Sequence, residues 1–165
     1  MRKPSVPLCL LGVIIICLLF AVILPAAQPA APSDTDNAQI EANKKLVLEF
    51  YDLTFNKRDL SSVDKYLDKN YIQHNPQVPT GREGFVKGVG AMLKQYPHWK
   101  TTFKRVIAEG DLVAVHCWAQ PDSTNPKDRG LAIIDIFRVD NGKIMEHWDV
   151  IEPVPEKSSN DNTMF

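Results

Sequence analysis

The chain has 165 residues, with 19 Lys and Arg against 20 Asp and Glu and a formal net charge of −1. One domain is the usual content of this length, and the balanced charge excludes the strongly basic surface of a nucleic-acid-binding protein. Hydrophobic residues make up 44% and charged residues 24% of the chain, which excludes a wholly disordered protein. Two of the three cysteines, Cys9 and Cys17, lie in the first twenty residues, so Cys117 alone remains in the body of the chain. A disulfide framework and a cysteine-based zinc site are therefore excluded.

Residues 1–33 are predicted to be a targeting segment and linker that precede the folded domain. Arg2 and Lys3 come before an almost entirely apolar run over residues 6–24, and a stretch rich in proline and alanine follows. This order is typical of a secretory signal peptide. The run is also nearly long enough to span a bilayer, and no clean Ala-x-Ala cleavage site follows it, so a membrane anchor through residues 6–24 is the alternative. Both alternatives predict a secreted or periplasmic domain, in the second case attached to the membrane.

A single domain is predicted over residues 34–156, and its first half is mainly helical. Apolar residues near a 3.6-residue period predict a long first helix, and two further helices follow good N-cap residues. The predicted helices cover residues 39–56, residues 61–67 and a segment from Thr80 to Leu93, where Thr80 and Glu83 have the spacing of a capping box. A brief strand over residues 71–74 is expected to stop at Asn75, because a residue before proline is pushed to extended geometry.

The second half predicts a sheet. Four β-rich runs cover residues 101–108, 112–119, 131–139 and 143–151, with tight turns at residues 109–111 and 140–142. Residues 157–165 are expected to form a flexible tail. Helices followed by antiparallel strands predict an α+β fold. In it, a cone-shaped, curved and mostly antiparallel sheet packs on three N-terminal helices and encloses a central pocket.

Asp135 is the most informative residue of the predicted sheet. It is the only acid of an apolar run, and the two-residue period of a strand places it on one face with Ile133 and Phe137. If this face lines the pocket, desolvation disfavours the carboxylate and raises the pKa of Asp135. A carboxyl group in such a place suits general acid–base catalysis or hydrogen-bond donation to an oxyanion. The alternative is a structural aspartate that caps a backbone amide or pairs with a cation.

The residue opposite Asp135 depends on the turn that follows its strand. A two-residue type I′ turn at Asn141 and Gly142 would place Trp148 opposite Asp135. A three-residue turn with a glycine bulge would pair Val139 with Lys143 and place His147 opposite Asp135 instead. We favour the second register, because it also brings Arg138 and Glu146 to one face as diagonal neighbours able to form an ion pair.

The remaining reactive side chains give weaker signals. His74 ends a short strand at a forced bend, where it is either a base or donor at the pocket mouth or a partly exposed turn histidine. His116 shares a strand with Trp118 and is expected to be a core residue with satisfied hydrogen bonds, while Cys117 is expected to be a small core residue rather than a nucleophile. The His-x-x-x-His and Glu-x-x-x-His spacings of metal sites are missing from the sequence, and so are the motifs of phosphate loops, dinucleotide sites and nucleophile elbows.

Three segments of the chain carry a family resemblance. The segments Tyr71–Pro76, Arg105–Val113 and Asp135–Val150 resemble the SnoaL-like polyketide cyclases of the nuclear transport factor 2-like superfamily, and most closely its branch of predicted aldol-condensation enzymes. The resemblance covers about residues 40–155. It implies an α+β cone with a deep, mostly apolar pocket and no cofactor. It also implies that Asp135 occupies the position of the acid/base aspartate of the cyclases.

Steroid isomerases of the same superfamily resemble the chain at three positions. Their oxyanion-donating tyrosine falls on Tyr51, and their protonated pocket aspartic acid falls on Asp135. Their catalytic base falls on Asn75, whose amide cannot accept a proton at neutral pH. The resemblance therefore implies that His74 or Asp135 would act as the base.

These observations predict an exported enzyme for acid/base catalysis on a small, apolar, enolisable carbonyl compound, by aldol-type cyclisation or isomerisation, without metal or cofactor. Asp135 and His74 are the predicted catalytic residues. The predicted binding residues are Tyr51, Asn75, His116, Phe137, His147 and Trp148. A non-catalytic module that binds a small ligand is the alternative. A homodimer is expected through an outer sheet face formed by Ile134, Ile136, Ile144 and Trp148, since so apolar a face is seldom left in water.

Overall fold

The computed structural model describes residues 33–165, so the predicted targeting segment and linker over residues 1–32 lie outside the described part of the chain. Among the described residues, no helix is both long enough and apolar enough to cross a membrane. The tail ends with the ring of Phe165 stacked against His116 and tilted against Trp118. Its predicted flexibility stays a prediction.

The described residues form three α-helices: α1 (Asp34–Tyr51), α2 (Val63–Tyr66) and α3 (Arg82–Gln95). Helix α1 begins five residues before the predicted start, because Ser33 and Asp36 form a capping box. The Asp36 amide donates to Ser33 Oγ at 3.2 Å, and the Ser33 amide donates to Asp36 Oδ2 at 3.1 Å. These bonds satisfy amide groups that a helix leaves without intrahelical partners at its start.

Helix α1 continues into a single π-helical turn, Asp52–Asn56, and this turn is tied to the sheet. The Asn56 side chain donates to the carbonyl of Thr101 at 3.1 Å and accepts from the amide of the same residue at 2.8 Å. The two bonds anchor the C-terminal end of the helix, and with it Tyr51, against a strand.

The capping box predicted at the start of α3 is wrong. Gly81 takes the N-cap position with φ of +84° and offers no side chain, so the helix begins without a side-chain cap. The hydroxyl of Thr80 instead accepts a hydrogen bond from the amide of Gln73 at 3.2 Å. The predicted cap residue therefore binds the end of a strand instead of the helix.

Five strands form one sheet: β1 (Leu67–Gln73), β2 (Lys100–Glu109), β3 (Leu112–Gln120), β4 (Leu131–Asp140) and β5 (Lys143–Pro153). Their spatial order is β1-β5-β4-β3-β2; β1 runs parallel to β5, and the other pairs are antiparallel. The predicted α+β class and the curved, mostly antiparallel sheet are confirmed. Strand β1 starts four residues before the predicted strand.

The turn between β4 and β5 has two residues, so the three-residue turn that the sequence favoured is wrong. Asn141 and Gly142 have φ of 49° and 71°, the positive values that a type I′ turn requires. Asp140 pairs with Lys143 across this turn.

A β-bulge follows the turn, and because of it both registers predicted from the sequence are wrong at Asp135. The pairing shifts at Met145, so Glu146 lies opposite Arg138, with Arg138 Nε 3.0 Å from Glu146 Oε2. Past the bulge, Asp135 lies opposite Asp149 instead of His147 or Trp148. One extra residue in a strand is enough to exchange which side chains share a face.

The core lies between the helices and the concave face of the sheet. This face is built from buried apolar side chains: Val113, Val115, Cys117, Ile133, Phe137, Val139 and Ile144. Phe50 of α1 meets Phe137 edge to face, with the ring centroids 6.5 Å apart. Ile144 is fully buried on this inner side, so its predicted place on the outer face is wrong.

Candidate active site

A cavity of about 90 Å³ lies between the helices and the inner face of β4 and β5. Most of its wall is apolar, from Phe50, Phe55, Val78, Phe85, Val89, Met92, Trp99, Ile133, Phe137 and Ile151. The polar part of the wall consists of Tyr51, Tyr71, Gln73, Asn75, Asp135, His147 and Asp149. An apolar pocket with a few converging polar groups is the usual form of a small-molecule site.

Asp135 lies at the centre of this polar wall. Only 4% of the residue is exposed, and its two carboxyl oxygens have different partners. Oδ1 is 3.0 Å from His147 Nε2, and Oδ2 accepts from the Tyr51 hydroxyl at 3.2 Å. Burial raises the pKa of Asp135, while the bonds from His147 and Tyr51 and the charge of His147 oppose the rise. The direction agrees with the expectation from strand parity.

The tautomer of His147 follows from a backbone amide. The Asn75 amide donates to Gln73 Oε1 at 2.9 Å, which identifies this atom as the amide oxygen, because a backbone N–H can only donate. His147 Nδ1 lies 2.8 Å from the same oxygen and must therefore carry a proton. If His147 is neutral, its Nε2 is an acceptor and Asp135 supplies the proton between them; if Asp135 is ionised, His147 is an imidazolium. Asp135 and His147 therefore share one proton.

Tyr51 and Cys117 complete the surroundings of Asp135. The Cys117 sulfur is 3.6 Å from the Tyr51 hydroxyl and 3.7 Å from Asp135 Oδ2. Burial raises the pKa of the Cys117 thiol to about 12, so the group remains a thiol near neutral pH. Burial and the charge of Asp135 likewise raise the pKa of Tyr51 well above its ordinary value. Both side chains are protonated groups beside the carboxyl.

Asp149 is a second carboxyl group in the cavity wall, and it was not among the predicted site residues. Its Oδ2 accepts from the side-chain amide of Asn75 at 2.6 Å. Asn75 is itself held, because its Oδ1 accepts from the amide of Gln77 at 2.8 Å. Gln73 was also missed. Under the three-residue turn favoured from the sequence, strand parity already puts Asp149 on the face of Asp135 as a diagonal neighbour, and the bulge places it directly opposite instead. Gln73 has no signal in the sequence.

The family to which these residues belong follows from the match of a family model. The model of the SnoaL-like polyketide cyclases matches residues 45–155, about two thirds of the chain, and includes every polar residue of the cavity. The chain belongs to the SnoaL-like polyketide cyclase family. The resemblance found in the sequence is thereby confirmed. No curated protein shows a significant sequence match to the chain.

Solved structures of this SnoaL-like fold are similar to the chain over most of their length. IdmH, a candidate polyketide cyclase from Streptomyces antibioticus, is 22% identical with a TM-score of 0.54, over 67% of this chain and 91% of IdmH. A candidate polyketide cyclase from Bacillus cereus is 21% identical with a TM-score of 0.59, over 67% and 74% of the two chains. AclR, a candidate hydroxylase from Streptomyces galilaeus, is 25% identical with a TM-score of 0.57, over 70% and 82%.

Three of the predicted site residues of this SnoaL-like protein lie on the outer face of the sheet and do not line the cavity. His74 stacks on Trp148 at 4.9 Å between ring centroids, and its Nε2 is 2.8 Å from Glu146. His116 Nδ1 bonds Arg105 at 3.1 Å. The expected positions of His74, His116 and Trp148 in the pocket are therefore wrong. His74 lies beyond the end of β1, and the side chains of His116 and Trp148 project from the outer face of their strands. Their neighbours along the chain, Gln73, Cys117 and His147, point inward.

The other predicted site residues come together. Tyr51, Asn75, Asp135, Phe137 and His147 all line the cavity of this SnoaL-like domain. Their catalytic or binding roles stay predictions, and the structure adds Tyr71, Gln73 and Asp149 to the polar groups beside them.

One group of side chains in the described region could also approach a metal ion. Ligand atoms of Asp135, His147 and Asp149 lie within 4.8 Å of one another. His147 Nε2 and Asp135 Oδ1 are already bonded to each other, so a cation would have to displace the proton between them. The prediction of a SnoaL-like site that needs no metal stays a prediction.

Proposed function

We propose that the protein is an exported enzyme that moves a proton at the carbon next to a carbonyl group, as in an aldol-type cyclisation or an isomerisation. The observation that carries the proposal is the buried Asp135 carboxyl, bonded to both His147 and Tyr51 in the wall of an apolar cavity. Membership of the SnoaL-like polyketide cyclase family supports the same class of chemistry.

The shared proton suggests how Asp135 would act. At rest the Asp135–His147 pair holds one proton between its facing atoms. Removal of a proton from the substrate carbon would place a second proton on the pair and leave His147 as an imidazolium beside a neutral Asp135. The positive charge would then lie next to the negative enolate in an apolar cavity, where such electrostatic stabilisation is strongest. Return of the proton to another carbon would complete an isomerisation. In an aldol-type cyclisation the enolate carbon would attack a second carbonyl, and the resulting alkoxide oxygen would take the proton back from the pair.

The size of the cavity favours a small probe. At about 90 Å³ it is smaller than the engineered cavity of about 150 Å³ that admits benzene. Acetone has only three carbons, but it presents a carbonyl oxygen and exchangeable α-hydrogens on both of its methyl groups. We therefore choose it for the test.

The proposal is tested by proton exchange. Acetone in D₂O is incubated with the protein, and loss of its methyl proton signal is followed by NMR. We expect faster exchange than in buffer, and we expect Asp135→Asn to abolish the increase, because an amide cannot take up the proton. Asp161→Asn is the matched control, since it makes the same change at an exposed aspartate. Equal rates for the protein and buffer, or full activity in Asp135→Asn, would contradict the proposal.

A non-catalytic ligand-binding module is the second candidate function. It is favoured by Asn75, which stands where the isomerases have their base and whose side chain already bonds Asp149 and Gln77. A small apolar carbonyl compound that copurifies with the protein and is released only on unfolding, together with no acetone exchange, would support this second function.

A further inference from the structure

Two buried tyrosines of the cavity wall use their hydroxyl groups differently. The Tyr51 hydroxyl donates its proton to Asp135 Oδ2 at 3.2 Å. This hydroxyl therefore already has an acceptor. The resemblance to the steroid isomerases predicted Tyr51 as the donor to a substrate oxyanion, but its proton is directed at the protein's own carboxyl group.

Tyr71 retains a hydroxyl proton without an acceptor. Its oxygen accepts from Gln73 Nε2 at 3.0 Å, and the orientation of this amide is fixed because the Asn75 backbone N–H binds its oxygen. No acceptor for the Tyr71 proton lies within hydrogen-bond distance among residues 33–165. Tyr71 is 2% exposed and lines the cavity. A buried donor without a partner is unfavourable, and a ligand oxygen would satisfy it.

The position of Tyr71 relative to Asp135 suits a carbonyl substrate. Strands β1 and β4 flank β5 in the sheet, so Tyr71 and Asp135 approach the cavity from either side of His147. Burial and the negative charges of Asp135 and Asp149 raise the pKa of Tyr71, which keeps its hydroxyl protonated near neutral pH. The bond that it accepts from Gln73 polarises the hydroxyl and strengthens it as a donor.

We propose that Tyr71 donates the hydrogen bond that stabilises the substrate oxyanion, with Gln73 as its positioning residue. This inference rests on the proposed function and deepens it. The ligand is a small carbonyl compound whose oxygen meets Tyr71 while its α-carbon meets Asp135. Tyr51 then acts through Asp135, as a positioning residue of the carboxyl.

Binding of an enolate mimic tests the assignment without turnover. The probe is the nitronate of nitroethane, a small planar anion with the shape of an enolate, titrated by calorimetry. The Asp135→Asn variant serves as background, because it removes the group that would protonate the probe. Adding Tyr71→Phe should weaken binding about tenfold or more, the usual effect of a lost hydrogen bond to a charged group. Adding Tyr66→Phe is the matched control, since Tyr66 is a buried tyrosine that lies outside the cavity wall.

A second measurement does not depend on the folding of Tyr71→Phe. The chain has four tyrosines, so labelling their Cζ atoms with ¹³C yields four signals. The Tyr51→Phe, Tyr66→Phe and Tyr96→Phe variants identify three of them, and the fourth belongs to Tyr71. Addition of the nitronate should shift the Tyr71 signal and leave that of Tyr66 unchanged.

The outcomes separate this inference from the proposed function. Equal binding with and without Tyr71→Phe, a shift of the Tyr51 signal alone, or no nitronate binding would each overturn the role of Tyr71. The acetone exchange experiment decides the proposed function separately, because its critical variant changes Asp135 and leaves Tyr71 intact.

Discussion

The buried carboxyl of Asp135 links the stability of the protein to pH. Because burial raises its pKa, the folded state keeps the Asp135 proton at pH values where the unfolded chain has lost it. The contribution of this group to the free energy of unfolding is therefore greatest below the unfolded pKa of about 3.9. It is lost as pH rises through the folded pKa.

We expect Asp135→Asn to fold and to be as stable as the wild type, or more stable, near neutral pH. The asparagine can donate from Nδ2 to a neutral His147 and accept at Oδ1 from Tyr51, so both hydrogen bonds can be kept. The gain in unfolding free energy over the wild type should grow with pH between 4 and 7, by about 1.4 kcal/mol for each unit that separates the folded and unfolded pKa values. Urea unfolding of both proteins across this range measures it. A gain that does not change with pH, or a variant that fails to fold, would make Asp135 a structural residue.

At the level of secondary structure, helix α3 packs closely against a loop that contributes to the cavity wall. A Cβ added at Gly84 would lie 2.6 Å from the carbonyl oxygen of Pro79, so the loop over residues 74–81 packs directly on the helix backbone. This loop carries Asn75 and Val78 to the cavity wall. The absence of a side chain at Gly84 therefore helps to position two residues of the site.

Gly84→Ala should destabilise the protein by about 1–3 kcal/mol, because overpacking moves the loop backbone. The effect should appear although alanine favours the helix over glycine by about 1 kcal/mol. Gly90→Ala is the matched control on the same helix, since its Cβ would meet only the end of the flexible Leu60 side chain, at 3.2 Å. We expect Gly90→Ala to be as stable as the wild type or slightly more so. Equal urea midpoints for the two variants would rule out the close approach at Gly84.

The helices and strands could be predicted from the sequence, but the composition of the site could be predicted only in part. Hydrophobic periodicity identified the elements and the inward face of Asp135, because burial imposes these patterns along the whole chain. The bulge at Met145 has no comparable local pattern, and it decides that Asp149 lies opposite Asp135. Gln73 acts through a hydrogen bond to the Asn75 backbone, which the identities of these residues do not reveal.

For the whole molecule, the outer face of the sheet remains partly apolar in a single copy of the chain. Ile134 is 49% exposed, Ile136 is 37% exposed and Val150 is 72% exposed. Trp148 lies on the same face, partly covered by the ring of His74. Ile144, which was predicted to be part of this surface, is buried on the inner face, but Val150 extends the apolar surface along β5.

We therefore retain the prediction of an isologous homodimer through this face, with Val150 in place of Ile144. Ile134→Glu should convert the protein to monomers, because dimerisation would bury the new charge without a partner. Light scattering at micromolar concentration measures the mass of each protein. Gln95→Glu adds the same charge on the exposed side of α3 and should leave the dimer intact. A wild-type protein that is monomeric under these conditions would rule out the dimer.

The parallel pairing of β1 with β5 has a consequence for the order of folding. It brings together Gln73 and His147, which are 74 positions apart in the sequence, whereas β2, β3, β4 and β5 are joined in sequence order as antiparallel neighbours. Closing so long a loop carries a larger entropic cost than closing a hairpin, and contacts of this kind form slowly. A folding chain should therefore bring Asp135 and His147 together in the β4–β5 hairpin before Gln73 arrives. Until β1 docks, either nitrogen of His147 can carry the proton, so the chemistry of the site is completed only by the last strand to join the sheet.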